Sequence, residues 1–465
     1  MFLLLAAMPA AGFHKIYDPQ VKSLQVVVNQ NWQSLPVMKL NSADRLNIGF
    51  DELSHDYHRY VCHVERCEAD WTTATEVFES DWLNGFNDLI IDDYERSINT
   101  TVPYTHYHFS LPNDQCRLTM SGNYRLHIME DGTDEDVLTV EFMVTEQSMQ
   151  LAMSATTNTD IDTNESHQQV TMALNFMSKR ITRPEEQLRT VVMQNGREDN
   201  CRRNVRPSFV NQNGVEWSHT LDYIFDAGNE YRKYEILDPS HPTMGIDYIR
   251  WDGENYQVFP FVSEPRPNYL YDEDADGAFI IRNSDNIQVE TTCDYVWVNY
   301  RLKSQPGLDG RIIIDGRWTT ETPDTYRLTY DEDTQMYTAA ILQKQGYYSY
   351  QYLLENPDGT RRPLPSEGNF YPTENRYQAL VISERWVEEP GIWPLTAKSS
   401  LNNINDNQNN LDNSFSGRTS ACGDILSPIN VVLVVLVVVV ISFGGCCSDG
   451  DRPPASCGTG DRRCR

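Results

Sequence analysis

Through the first 390 residues of this chain, apolar and polar side chains alternate in short runs: SLQVVVN, RLNIGF, YRLHIM, LTVEFMV, QVTMALNF, YVWVNYRL, GRIIIDG and YQALVIS. A period of two places neighbouring side chains on opposite faces, which makes each run a half-buried strand rather than a helix. Gly, Asn, Asp and Pro bound these runs at intervals of roughly ten residues, the spacing of antiparallel sandwiches. Helical periodicity is scarce, and the 25 tyrosines suit half-buried strand positions. The expected fold is all-β: tandem antiparallel, immunoglobulin-like sandwiches.

A chain of 465 residues is long enough for several such cores. Boundaries fall where a strand series ends in a polar connector. They give an N-terminal sandwich over 16–147, a second β domain over 148–288 and a third over 289–388. Residues 1–15, MFLLLAAMPAAGFHK, pair an apolar run with small residues and read as the remnant of a signal peptide, which points to export. Residues 389–465 are of another kind. An Asn-rich stretch leads into VVLVVLVVVVISF, shorter than the roughly 20 residues a spanning helix needs. A Cys-rich end follows. A short membrane segment, a disordered tail and a misread frame are all compatible with it, and disorder or a misread frame fits this composition better.

The formal charge of −29 disfavours nucleic acid as a partner. From Pro390 onward acids and bases balance, so the excess lies in the strand-rich part. Cys62, Cys67, Cys116, Cys201 and Cys293 form no CxxC pair, and Cys62 and Cys67 fall on opposite faces if YVCHVERCEADW is a strand. GxSxG, HExxH and the phosphate-cradling GxxxxGK[ST] are all missing, and no catalytic residues or cofactor are assigned.

Two strings invite a metal. In YTHYHFSLPND, His106 and His108 share one strand face with Tyr104, but no further ligand stands at motif spacing. A polar, aromatic strand face is the better reading. Asp272, Asp274, Asp276 and Gly277 reproduce the opening of a calcium loop, yet Asn283 stands where a bidentate Glu belongs and a strand follows instead of a helix. An Asp/Gly hairpin turn accounts for the string without an ion. The third block resembles the early-set immunoglobulin-like modules of starch- and glycogen-acting proteins. Its Trp297, Trp318, Tyr347, Tyr348 and Tyr350 are candidates for stacking on sugar rings, and core positions are the competing reading.

Several longer strings share one further likeness. YVCHVERCEADW, DWLNGFNDLIIDDYERSINTTVPYTHYHFSLPND, LTMSGNYRLHI, VVMQNGREDN, IFDAGNEYRKYEI, YLYDEDADGAFIIRN and EGNFYPTENRYQALVIS, in that order over about 20–385, resemble the Bacteroidetes type IX secretion plug protein family. The resemblance implies a periplasmic all-β protein without catalytic residues. It would associate with the inner face of the outer membrane, seal a large β-barrel translocon between cargoes, and take no small-molecule substrate. The family's pattern is departed from after about Ser383. In 78–103, expected to be a long loop crossing one sandwich, Trp82, Phe86, Ile90, Ile91 and Tyr94 have the character of aromatic and aliphatic anchors in a polar rim. With Tyr104, His106 and His108 they form the expected partner surface, and folding back over the core of the first sandwich is the competing reading for the residues of 78–103. A glycan-binding envelope protein using the third sandwich is the alternative.

Overall fold

The computed structural model describes residues 14–146 and 148–383, and the backbone of 439–443. The fold is all-β, as expected: its helices are single turns and its sheets are mostly antiparallel. The Asn-rich stretch, most of the Val-rich run and the Cys-rich end lie outside the described residues, as does most of the signal-like start.

The first sandwich packs two sheets around one apolar core. In one sheet His14–Ile16, Asp136–Thr145, Gly122–Glu130, Tyr60–Cys67 and Leu89–Ile91 lie side by side, with Val37–Lys39 added in parallel on Asp136–Thr145. The other runs Val21–Val28, Leu46–Glu52, Thr105–Leu111, Tyr94–Arg96. Alternation decides what faces inward: Leu46, Ile48 and Phe50 from one strand and Leu126 and Ile128 from another are sealed in the core. Ser23, at φ +53°, breaks the register between Lys22 and Gln25 as a β-bulge, which re-aims its side chain outward.

Sheet pairing divides the rest of the chain differently from the boundary set at 288. Leu188–Gln194 pairs along its length with Asn375–Ser383, from Leu188 opposite Ser383 to Gln194 opposite Tyr377. Tyr377, Ala379 and Val381 accordingly join the core of Val170, Met172, Leu174, Val192 and Trp217. The second sandwich is thus built from 148–226 plus the returning strand. Strands Arg232–Ile236 and Ile246–Trp251, assigned to the second block by the sequence, share the third core with Val296, Val298, Tyr300 and Tyr352. NRYQALVIS closes the second sandwich, not the third. Periodicity identifies a strand but carries no address for its partner, and this partner lies far back in the chain.

The three sandwiches interlock. Outward residues Val191, Met193, Leu380 and Ile382 of the second pack against Met143 of the first. At the centre the Gln33 carbonyl of the first sandwich accepts hydrogen bonds from Arg317 Nη1 of the third (3.0 Å) and Arg376 Nη1 of the second (3.3 Å). Glu367, on the connection back to the second sandwich, accepts from Arg232 Nη2 at 2.8 Å and also pairs with Arg266.

Candidate functional site

Residues 78–103 carry more order than a loop. A single helical turn, Glu79–Trp82, runs into Leu83–Gly85, and the short strands Leu89–Ile91 and Tyr94–Arg96 follow. Each of the last two is the terminal strand of its sheet, so the segment steps from one sheet to the other along one open side of the sandwich. Its outward side chains line that side. Phe86 is 72 % exposed, Ile90 and Tyr94 project into solvent, and the Tyr94 ring lies 4.6 Å from that of exposed Tyr57.

The expected partner surface divides sharply on this structure. Trp82 is 5 % exposed, in the first core with its ring 5.6 Å from Tyr124, because the helical turn tucks it under the sandwich. Ile91 also belongs to that core, by the alternation that leaves Ile90 outside. Tyr104 and His106 are buried as well, against the third sandwich. These four cannot meet a partner from this conformation. Phe86, Ile90 and Tyr94 can, and half-exposed His108 stands at the margin with Nδ1 3.5 Å from Asp93 Oδ2.

What covers Tyr104 and His106 is an inter-domain clamp. Asp51 and His106 are cross-strand neighbours on the outer face of the first sandwich. Tyr295 and Lys344 are cross-strand neighbours on the outer face of the third. The two pairs meet. Lys344 Nζ donates to Asp51 Oδ2 at 2.6 Å, the Tyr295 hydroxyl donates to the same oxygen at 2.6 Å, and His106 Nδ1 lies 2.6 Å from Asp51 Oδ1. Lys344 Nζ also donates to the Glu290 carbonyl at 2.7 Å and stands 4.0 Å from the centroid of the Tyr104 ring. Tyr295 reaches the bulged Ser23, whose Oγ is 2.7 Å from its hydroxyl. Gly49 makes room for this cluster, since a Cβ there would lie 3.2 Å from the His106 ring. Burial opposes charge on Asp51, but the Lys344 ammonium and the His106 contact outweigh it and hold its carboxyl below the usual range. Next to the clamp, the Asp294 carboxylate accepts the backbone N–H groups of Thr101 (2.8 Å) and Val102 (3.2 Å), tying the end of segment 78–103 to the third sandwich.

The acidic string resolves into separate contacts. Asp272 pairs with Lys233 at 2.6 Å, Asp274 accepts the backbone N–H groups of Tyr231 and Asp276, and Asp276 Oδ2 lies 3.3 Å from Arg376 Nη2. Asp276 and Gly277 both adopt positive φ, making the turn that glycine eases. Burial, the nearby Asp276 and Glu230 carboxylates among its surroundings, pushes Asp274 up to about 8. Among the described residues, no three His, Cys, Asp or Glu side chains group as a metal site. Of the sugar-stacking candidates, Trp318, in the turn after Arg311–Asp315, and Tyr348 and Tyr350, on the inward parity of Gly346–Glu355, are core residues; Trp297 and Tyr347 are half-buried.

Asp51, Tyr295 and Lys344 carry no signal in the sequence. All three sit at outward parity within their own sandwiches, where alternation predicts solvent, and only the packing of one domain on another buries them.

The fold and these contacts define a protein of three interlocked β-sandwiches with an exposed apolar edge on the first. The family model for the type 9 secretion system plug protein 1st domain matches residues 21–146, which span that edge. A crystal structure of a hypothetical protein from Parabacteroides merdae ATCC 43184 is 31% identical, with a TM-score of 0.79, over 93% of this chain and 99% of that one. Likenesses to a Pseudomonas fluorescens alkylpurine DNA glycosylase and to Escherichia coli alpha-2-macroglobulin have TM-scores of 0.15 and 0.17 and carry no argument. No curated protein matches. Residues 21–146 thus belong to the first-domain family of the type 9 secretion system plug protein, and the chain over nearly its whole length is a relative of the Parabacteroides merdae protein.

Proposed function

We propose that this protein is a non-enzymatic periplasmic plug that seats against the inner face of the large outer-membrane β-barrel translocon of type IX secretion and seals it when no cargo is in transit. The observation that carries the reading is the coincidence of the family match with the exposed edge: the matched first sandwich is the one that presents Phe86, Ile90 and Tyr94. A few apolar anchors within a polar surface are what a specific docking patch requires. Occlusion also requires a body that does not flex under load, and the buried Asp51–Lys344 pair and the Gln33 junction tie the sandwiches together at fixed angles. Of the five aromatics that are candidates for stacking on sugars, three lie in the core, so no observation favours the glycan reading.

The test is affinity purification of the tagged chain from detergent-solubilised outer membranes, alongside the double variant Phe86→Ser/Ile90→Ser. Stoichiometric recovery of a giant barrel protein with the unaltered chain, and its loss with the folded double variant, is the expected outcome. Recovery of the chain alone from native membranes would remove the plug reading.

A further inference from the structure

The segment that steps along the open side of the first sandwich, EVFESDWLNGFNDLIIDDYE over 76–95, holds seven acids and no Lys or Arg. That is about one acid in three residues, where the whole chain has 67 in 465, about one in seven. All seven are exposed, and so are Phe78, Phe86, Ile90 and Tyr94 between them. Exposed carboxylates alone serve solubility. What sets this run apart is that its charges have no cations of their own. Among the described residues, no Lys or Arg stands within ion-pair distance of any of the seven. Asp88 and Asp93 meet only imidazoles, His63 Nδ1 at 2.7 Å and His108 Nδ1 at 3.5 Å. The side chains of Glu76, Asp81, Asp92 and Glu95 accept no hydrogen bond from any described residue. Arg96, next in the chain, and Arg117, opposite Asn84 on the neighbouring strand, pair with none of the run. Elsewhere, acids of similar exposure do hold cations: Glu264 pairs with Lys303 at 2.6 Å, Glu185 with Arg206 at 3.1 Å and Asp131 with Arg59 at 3.3 Å.

Like charges fixed on one face set up a negative potential that salt screens only beyond about 10 Å at 0.1 M. A neutral or acidic surface brought onto this edge would strip water from the carboxylates and return nothing for it. A surface carrying cations supplies the missing partners, and like-charge contact turns other surfaces away. The apolar side chains then serve as anchors inside a charged rim. Resting on the plug reading, we infer that the translocon surface receiving this edge is basic, with Lys and Arg side chains set around an apolar recess that takes Phe86 and its neighbours. Rim charge acts mainly on the rate of encounter, and the anchors govern the rate of leaving. The inference therefore separates the two groups of residues by kinetics as well as by affinity.

The test takes the barrel protein recovered with the tagged chain, purifies it, and passes it over the immobilised full chain at about 50 and about 500 mM NaCl. Association is expected to slow about tenfold or more across that range, with dissociation changing less. The triple variant Asp81→Asn/Asp92→Asn/Glu95→Gln, at side chains that make no contact of their own in the fold, is expected to associate more slowly at low salt and to lose most of the salt dependence. Phe86→Ser is expected to keep the salt dependence and dissociate faster. An association rate of the unaltered chain that is indifferent to salt overturns the basic receptor whether or not the triple variant folds, and leaves the plug reading standing. A folded triple variant with the full salt dependence does the same. Recovery of no barrel protein at any salt concentration removes the plug reading and this inference together.

Discussion

Lys344 Nζ lies 2.6 Å from Asp51 Oδ2 with each side chain 1 % exposed, although both residues project from faces that their own sandwiches turn away from their cores. A charge pair this deep is sustained by completeness, with Tyr295, His106 and the Glu290 carbonyl filling the remaining sites. Removing one member leaves the other charged and dry. Lys344→Met is therefore expected to cost about 3–5 kcal/mol, read as a lower urea midpoint. The pair Asp51→Asn/Lys344→Met should recover part of that loss, and strict additivity in the double-mutant cycle would show that the two do not interact.

The clamp sets an acid limit. Asp51 has an ordinary value of 3.8 that is lowered in the fold. Its stabilisation is fully present above 3.8 and is lost as pH falls through the lower folded value. Urea midpoints taken at falling pH should drop below that point in the unaltered chain, and drop less in Asp51→Asn.

Asp274 acts with the opposite sign. Its carboxyl rises from 3.8 to about 8 in the fold, so the folded chain binds the extra proton between those values. Stability from this site is greatest below 3.8 and declines until pH passes about 8. Asp274→Asn should flatten this part of the pH profile and be relatively more stable at pH 8. An unchanged slope between pH 5 and 8 would remove Asp274 as its source.

Trp82 and Phe86, four residues apart, should behave as different kinds of residue. Trp82→Ala opens a cavity in the first core and is expected to cost about 3–5 kcal/mol. Phe86→Ser should change stability by no more than about 0.5 kcal/mol while weakening recovery of the barrel. Thermal unfolding and co-purification of the two variants, measured side by side, separate the roles.

Burial pushes the Cys62, Cys67 and Cys293 thiols up to about 12, and those of Cys116 and Cys201 up to about 11. Alkylation at pH 8 followed by peptide mapping should leave all five unmodified in the folded chain and modify them in urea. Rapid labelling of any one without denaturant would contradict its placement.

The strands themselves were legible because alternation is a local property: SLQVVVN, YRLHIM and YVWVNYRL all became strands with the inward parity their apolar residues imply. Phe86 and Ile90 were singled out as apolar anchors in a polar stretch, and both are exposed. Trp82 follows the competing core reading, because the single helical turn ahead of Leu83 turns its side chain under the sandwich. Tyr104, His106, Asp51 and Lys344 lie beyond any single-strand pattern. Their burial depends on which sandwich stacks against which, and a period of two says only that they leave their own core. The return of Asn375–Ser383 to the second sandwich was illegible for a similar reason, since hydrogen-bond pairing is not written in the composition of either strand.

That return also fixes an order of birth. A chain made from its N-terminus has every strand of the first sandwich in hand by Thr145 and every strand of the third by Pro363. The middle sandwich waits until Ser383 has emerged, with Leu188–Gln194 bare along one side throughout. The domain that lies in the middle of the sequence is the last to mature, and an arrest in synthesis anywhere between 195 and 374 strands it as a half-built sheet with an adhesive flank.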